Sequence, residues 1–254
     1  MSRRTGRGTT DNGAWNSASY VWNADDTDAS LAWFFGEANV GGTAHDVPGA
    51  TSCTFCHGDA EPPLGFTALQ LASDDDDDND SLDNDNVGLD NDNVGLDNDN
   101  DNVGLDNDNV GLDNDNVDLD DLVAAGWLSH APQRTLTVPG DNIDRRALGV
   151  LHVNCGSCHA DTGSQNDLPL RFRLRTDELA RVDDTGAVFT AVGQRAQDEL
   201  GGLRTYLQPG ASDESLVLLR MSSRGSDLQM PPVGTEDVDV DGVASVRAWI
   251  ERRR

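Results

Sequence analysis

The chain has no apolar run approaching 18 residues, so the sequence offers no transmembrane helix. Its first residues, MSRRTGRGTTDNG, are basic, but no hydrophobic stretch follows them. A secretory leader needs such a stretch, as does the twin-arginine kind that Arg3-Arg4 would otherwise suggest. Basic residues are scarce: 18 Lys and Arg stand against 46 Asp and Glu, a formal charge of -28 over 254 residues. The imbalance is concentrated. Residues 74–121 hold 20 of the acidic residues and no Lys or Arg, and outside them the other 26 face all 18 basic ones. Without a basic face to neutralise phosphates, nucleic acid binding is disfavoured.

Cysteine is scarce too, and its placement is informative. The four residues fall into two copies of one pattern, Cys53-Thr-Phe-Cys56-His57 and Cys155-Gly-Ser-Cys158-His159. Three occupants are open: a pair of disulfide or redox sites, one four-thiolate zinc site, or two covalently attached haems. Zinc can use two CxxC knuckles but has no need of a histidine behind each, and the pairs lie far apart in the chain. Redox pairs do not need the histidine either. Haem c uses every residue: the thiols add to the two vinyl groups, and the adjacent imidazole becomes the proximal iron ligand. The expected anchors are therefore Cys53, Cys56, Cys155 and Cys158, with His57 and His159 on iron.

Met230, followed by Pro231-Pro232, offers a thioether for the second iron, and His/Met ligation raises the reduction potential. Prolines stiffen the loop that would carry it. The alternatives are Met230 as a core filler and Met221, inside an expected helix, as the ligand. The first motif has no Met-Pro of its own. Its sixth ligand is expected from His152, ahead of His130, His45 or another chain, because His152 stands one helical turn before Cys155. A merely packed His152 is the competing reading.

Residues 14–36 gather Trp15, Tyr20, Trp22, Trp33, Phe34 and Phe35, which reads as a small aromatic core. Residues 19–22 read as a strand and 23–28 as a turn before a short helix. Residues 61–71 read as a loop running into another short helix. From residue 82 the texture changes to Leu-Asp-Asn-Asp-Asn-Val-Gly, repeated at 89–95, 96–104 with an extra Asp-Asn, 105–111 and 112–118, the last with Asp118 in place of the glycine. Leu and Val at positions one and six are no coiled-coil heptad, and Asp, Asn and Gly are poor helix formers. One reading is a solvated, self-repelling acidic linker. The other is a run of calcium loops, since Asp83, Asp85, Asp90 and Asp92 present oxygens on alternate residues with a glycine for the turn, although no spaced bidentate Glu accompanies them. Beyond 122, Asp141 can cap a helix over 142–155 whose face is Leu148, Leu151, His152 and Cys155. Glu214–Met221 reads as helical, and Asp241 can cap a last helix bearing Val243, Val246, Arg247, Trp249 and Ile250.

Three parts are expected: an N-terminal haem domain at 1–72, aromatic-rich with some β structure; the acidic insert at 73–121; and a mainly α C-terminal domain with irregular loops at 122–254. The order of helix, CxxCH, Met-Pro and final helix resembles the class I cytochrome c fold, in which the first and last helices cross. More widely, Tyr20-Val-Trp-Asn, Val47-Pro, the two CxxCH motifs, Leu64-Gly-Phe-Thr-Ala-Leu-Gln-Leu, Arg146-Ala-Leu, Ser215-Leu-Val-Leu-Leu-Arg-Met-Ser-Ser-Arg and Met230-Pro-Pro resemble a family of secreted bacterial di-haem proteins of unassigned function. The resemblance covers most of 14–72 and 122–252, and the acidic insert departs from it. It implies two haem c groups; a Met-ligated second haem with no evident acid/base constellation points to single-electron transfer, the acidic surface to basic redox partners, and the repeat spacing to calcium as a further candidate. A di-haem peroxidase with a five-coordinate first haem is the alternative, and a homo-oligomer or filament of an extracellular haem assembly is compatible with the electron-transfer reading. Because haem c is attached beyond the cytoplasmic membrane, a periplasmic or extracellular location is expected, with the export signal lying upstream of this sequence.

Overall fold

The structure is a computed structural model, which describes residues 2–4, 15–50, 52–53, 67–72, 119–128, 130, 132–134, 136–165 and 167–253. Short antiparallel ladders make up the N-terminal part: β1 (Ser2–Arg4) with β2 (Trp15–Ser17), β3 (Tyr20–Trp22) with β4 (Ala29–Leu31), and β5 (Gly36–Glu37) with β6 (Val47–Pro48). Two helices follow, α1 (Leu119–Ala124) and α2 (Asn142–Cys155). The remainder is α3 (Gly186–Ala191), the antiparallel pair β7 (Arg195–Leu200) and β8 (Leu203–Thr205), α4 (Leu216–Met221) and α5 (Val240–Glu251).

The best-defined sequence signal forms as expected. The Asp141 carboxylate accepts from the Ile143 and Asp144 N–H groups, and the Asp144 side chain accepts from the Asp141 N–H. This reciprocal cap satisfies donors that a helix start leaves open. It starts α2, whose Leu148 and Leu151 are fully buried. They share one core with Val246, Trp249 and Ile250 of α5. Trp249 Nε1 donates to Asp144 Oδ1 at 2.8 Å, so the buried indole N–H closes on the cap of the other helix. Arg252 pairs with Asp141 at 2.7 Å and with Asp144 at 2.6 Å. Polar contacts at the start of α2 thus tie the two helices together, and apolar contacts run along them. The cap of α5 is Asp239, accepting from Gly242 N at 2.8 Å, and not Asp241, which lies inside the first turn.

Several expectations for the N-terminal part are corrected. Residues 29–31 are a strand and not a helix: Asn23 Oδ1 accepts from the N–H groups of Thr27 and Asp28, which folds the chain back and pairs Tyr20 with Leu31. Thr67–Leu71 is a turn and not a helix, closed by Thr67 N on Gln70 Oε1 at 2.7 Å and Gln70 N on Thr67 O at 3.1 Å. The described aromatic side chains of this stretch do not form a core. Tyr20, Trp22, Trp33, Phe34 and Phe35 are all exposed, Phe35 by 77 %. Tyr20, Trp22 and Leu31 fall on one face of the β3–β4 hairpin, since side chains two apart, and those paired across strands, share a face.

Leu69 packs against the C-terminal core. The Leu71 carbonyl accepts from the N–H of Leu119, so the described residues that flank the 73–118 stretch meet at one point on the fold. The repeat itself, with Asp83, Asp85, Asp90 and Asp92, lies outside the described residues. Among the described residues no helix is long and apolar enough to cross a membrane.

Candidate functional site

Helix α2 delivers the second cysteine pair. Cys155 is its last residue, and the chain tightens there, Cys158 N donating to Cys155 O at 3.2 Å and His159 N to the same oxygen at 2.9 Å. The carbonyl of His159 accepts from Phe172 N at 2.8 Å, and the two rings meet edge to face with centroids 5.8 Å apart. Gln165 N donates to Cys158 O at 3.1 Å, which brings the following loop back over the motif. These backbone bonds hold both cysteines and the histidine without using their side chains.

Those side chains open on a cavity of about 260 Å³, which Met230, Pro231 and Pro232 also line. The donor set anticipated across 75 residues of sequence, Cys155, Cys158, His159 and Met230, therefore shares one space. Apolar walls come from Leu168, Leu170 and Phe172 after the motif, from Leu200 and Tyr206 on the β7–β8 region, and from Leu216 and Val217 on α4. Met221 lines it too, as a member of the main core cluster, whereas Met230 sits in a loop and is less buried. Met230 N donates to the Arg220 carbonyl at 3.1 Å, fixing the Met-Pro loop to the end of α4.

The electrostatics match a site that holds neutral donors. Burial first, then the like-charged tendency of Cys158, pushes the Cys155 thiol up to about 12. A thiol this reluctant to ionise is a poor redox nucleophile, because the thiolate is the reactive form. His159 is brought down to about 4, by burial first and then by the positive Arg220 and Arg171. Its Nδ1 is buried and has no hydrogen-bond partner among the described residues. Among the described residues no three His, Cys, Asp or Glu side chains converge as metal ligands, so Cys53 does not join Cys155 and Cys158 in a shared zinc site.

His152 is placed elsewhere. It is 6 % exposed, and its Nδ1 accepts from Leu174 N at 3.0 Å. Because a backbone N–H can only donate, Nδ1 carries no proton, and Nε2 is the N–H that donates to Thr67 Oγ1 at 2.9 Å. Both nitrogens are therefore engaged, and ligation of a first haem by His152 requires Thr67 to release it. Thr67 and Leu174 also line an open cleft of about 410 Å³ with Arg173 and Arg175. His45 is exposed and its Nδ1 lies 3.1 Å from Glu236 Oε2, while His130 is exposed. Of the first motif, Cys53 is described, its Sγ directed to the Gly49 carbonyl at 3.7 Å. Cys56 and His57 lie outside the described residues.

Sequence reasoning assigned no role to Arg220 or to the β7–β8 wall. Arg220 was visible only as one letter beside Met221, and the hairpin had no strong alternation of apolar and polar residues. No family model, curated protein or solved structure matches this chain.

Proposed function

We propose that the protein is a di-haem c-type cytochrome that passes single electrons outside the cytoplasm. The carrying observation is that Cys155, Cys158, His159 and Met230 line one largely apolar cavity. The spacing of these residues along the chain does not by itself require that convergence. Two thiols, one imidazole and one thioether suit a haem, and they suit zinc or a redox disulfide less well. When bound, the haem supplies a one-electron couple. The protein's part is to hold the group by Cys155 and Cys158, to orient His159 through the backbone bonds at its carbonyl, and to exclude water with Leu168, Phe172, Tyr206 and Leu216. Met230 is presented by a proline-stiffened loop pinned to α4, and Cys53, Cys56 and His57 are the corresponding set for the first haem.

The acidic charge favours basic redox partners through steering, a contact that weakens with salt. Haem attachment implies a periplasmic or extracellular location. The Asp residues of the repeat, Asp83, Asp85, Asp90 and Asp92 among them, are candidate calcium ligands, which a calcium titration of the full chain tests.

The deciding experiment is a pyridine haemochrome count on protein matured with haem. Two haem c per chain is the expected result, and none ends the reading. In Met230→Ala the second haem should lose its thioether and drop in potential, whereas Met221→Leu should leave the potential near that of the parent. The reverse outcome would move the ligand to Met221. Two low-spin haems without peroxide turnover are expected, and a high-spin first haem with turnover would favour a peroxidase.

A further inference from the structure

We infer that the Arg220 guanidinium is the anion-binding group of the cavity and that it takes a haem propionate. The inference rests on the haem reading above and adds an electrostatic role that no motif assigned. Two arginines act on His159, and they differ in one respect. Arg171 Nε holds Asp161 Oδ1 at 2.8 Å, and Arg171 Nη1 donates to the Leu170 carbonyl at 2.9 Å. Arg220 lines the cavity, is partly buried, and has no carboxylate within ion-pair distance among the described residues. Its guanidinium makes one long hydrogen bond among them, 3.4 Å to the Asp227 carbonyl. Asp198, an acidic residue in the lining, is exposed on β7 and does not pair with it.

Withdrawing a guanidinium from water without a counter-charge is costly, and burial already lowers the pKa of Arg220. A group that fills the cavity should therefore bring the missing anion. Haem is apolar over its face, and its two propionate carboxylates are its only anionic side groups. The planar fork of arginine matches a carboxylate through two parallel N–H bonds, which a lysine cannot reproduce. Arg220 also accepts the Met230 N–H on its own carbonyl. One residue thus fixes the Met230 loop through its backbone and presents the cation through its side chain. The positive charge offsets the propionate and favours the reduced, less positive iron.

The test uses the full haem-loaded chain in Arg220→Gln and Arg220→Lys forms, read by spectroelectrochemical titration and by the propionate vibrations in resonance Raman. In Arg220→Gln the second haem should titrate lower, its oxidised-to-reduced ratio at a fixed potential rising roughly tenfold, which is 59 mV for one electron. In Arg220→Lys the potential should largely recover while the propionate band stays displaced, because charge is restored and the two-bond fork is not. A parent-like potential and parent-like propionate band in Arg220→Gln overturn the inference. Should Arg220→Gln fail to accumulate, an unmoved propionate band in Arg220→Lys overturns it equally. Absence of haem c from the parent protein would instead defeat the proposed function, so the two failures are distinguishable.

Discussion

At Gly156 a Cβ would lie 2.4 Å from the His152 carbonyl oxygen and 2.9 Å from the Arg173 Cα. Its φ is -66°, ordinary helical backbone, so the glycine is required by space and not by conformation. Gly156→Ala should push the 172–174 segment off the motif and destabilise the protein by roughly 1–3 kcal/mol, the usual range for overpacking. A denaturant midpoint equal to the parent's would refute this. His152 supports the same segment through Leu174. Burial first, and then the positive Arg173, brings its pKa from 6.5 to about 4. The unfolded ring takes up a proton as pH falls through about 6.5, while the folded ring resists protonation until about 4. Its contribution is therefore complete above pH 6.5 and lost as pH falls towards 4, by at most roughly 3 kcal/mol. Unfolding free energies measured across that window should decline with acid. The slope should flatten in His152→Asn, which keeps an acceptor for the Leu174 N–H and cannot titrate. An unchanged slope would show that other groups govern it.

At the scale of elements, α2 and α5 are joined by a contact that sequence periodicity does not show. The pattern at 148, 151, 152 and 155 identified the inner face of α2, and Leu148 and Leu151 are indeed at 0 % exposure. That Asp144 would serve both the cap and the Trp249 indole followed only from the packing of the two helices. Trp249→Phe should cost about 2–3 kcal/mol, combining the lost buried hydrogen bond with the unfilled volume. Its denaturant midpoint should fall with the slope unchanged, and a midpoint near the parent's would contradict the role given to the indole. The β3–β4 hairpin marks where local reading failed. Its turn is legible in the sequence, but the segment after it, read there as a short helix, is a strand, and Ala, Ser and Leu carry little strand preference of their own. Pairing with Tyr20–Trp22 overrode that.

For the whole molecule, Leu71 and Leu119, on either side of the acidic repeat in sequence, meet through one backbone hydrogen bond. Replacing residues 73–118 with a short Gly/Ser link should leave the proposed haem binding at the CxxCH motifs unchanged and raise stability by roughly 1–2 kcal/mol, since a shorter loop costs less to close. It should also make reaction with a basic partner slower and less sensitive to salt. Loss of folding on that deletion would show that the repeat is part of the structure. Unchanged kinetics would remove its steering role.

What the sequence determined by itself was chemistry carried by adjacent residues: the paired cysteines with their histidines, the Asp141 cap, the buried stripes of α2 and α5, and the segregation of charge. Each is a local pattern whose spacing maps directly onto a helix turn or a pair of thiols. Tertiary structure decided what meets across long separations. It brought Met230 to the cavity of His159, left Arg220 without an ion-pair carboxylate among the described residues, engaged both nitrogens of His152, and exposed Tyr20, Trp22, Trp33, Phe34 and Phe35, which composition suggests as a core. Those outcomes depend on how whole elements pack, because burial and partnership belong to the folded surface as a whole and no single stretch of chain encodes them.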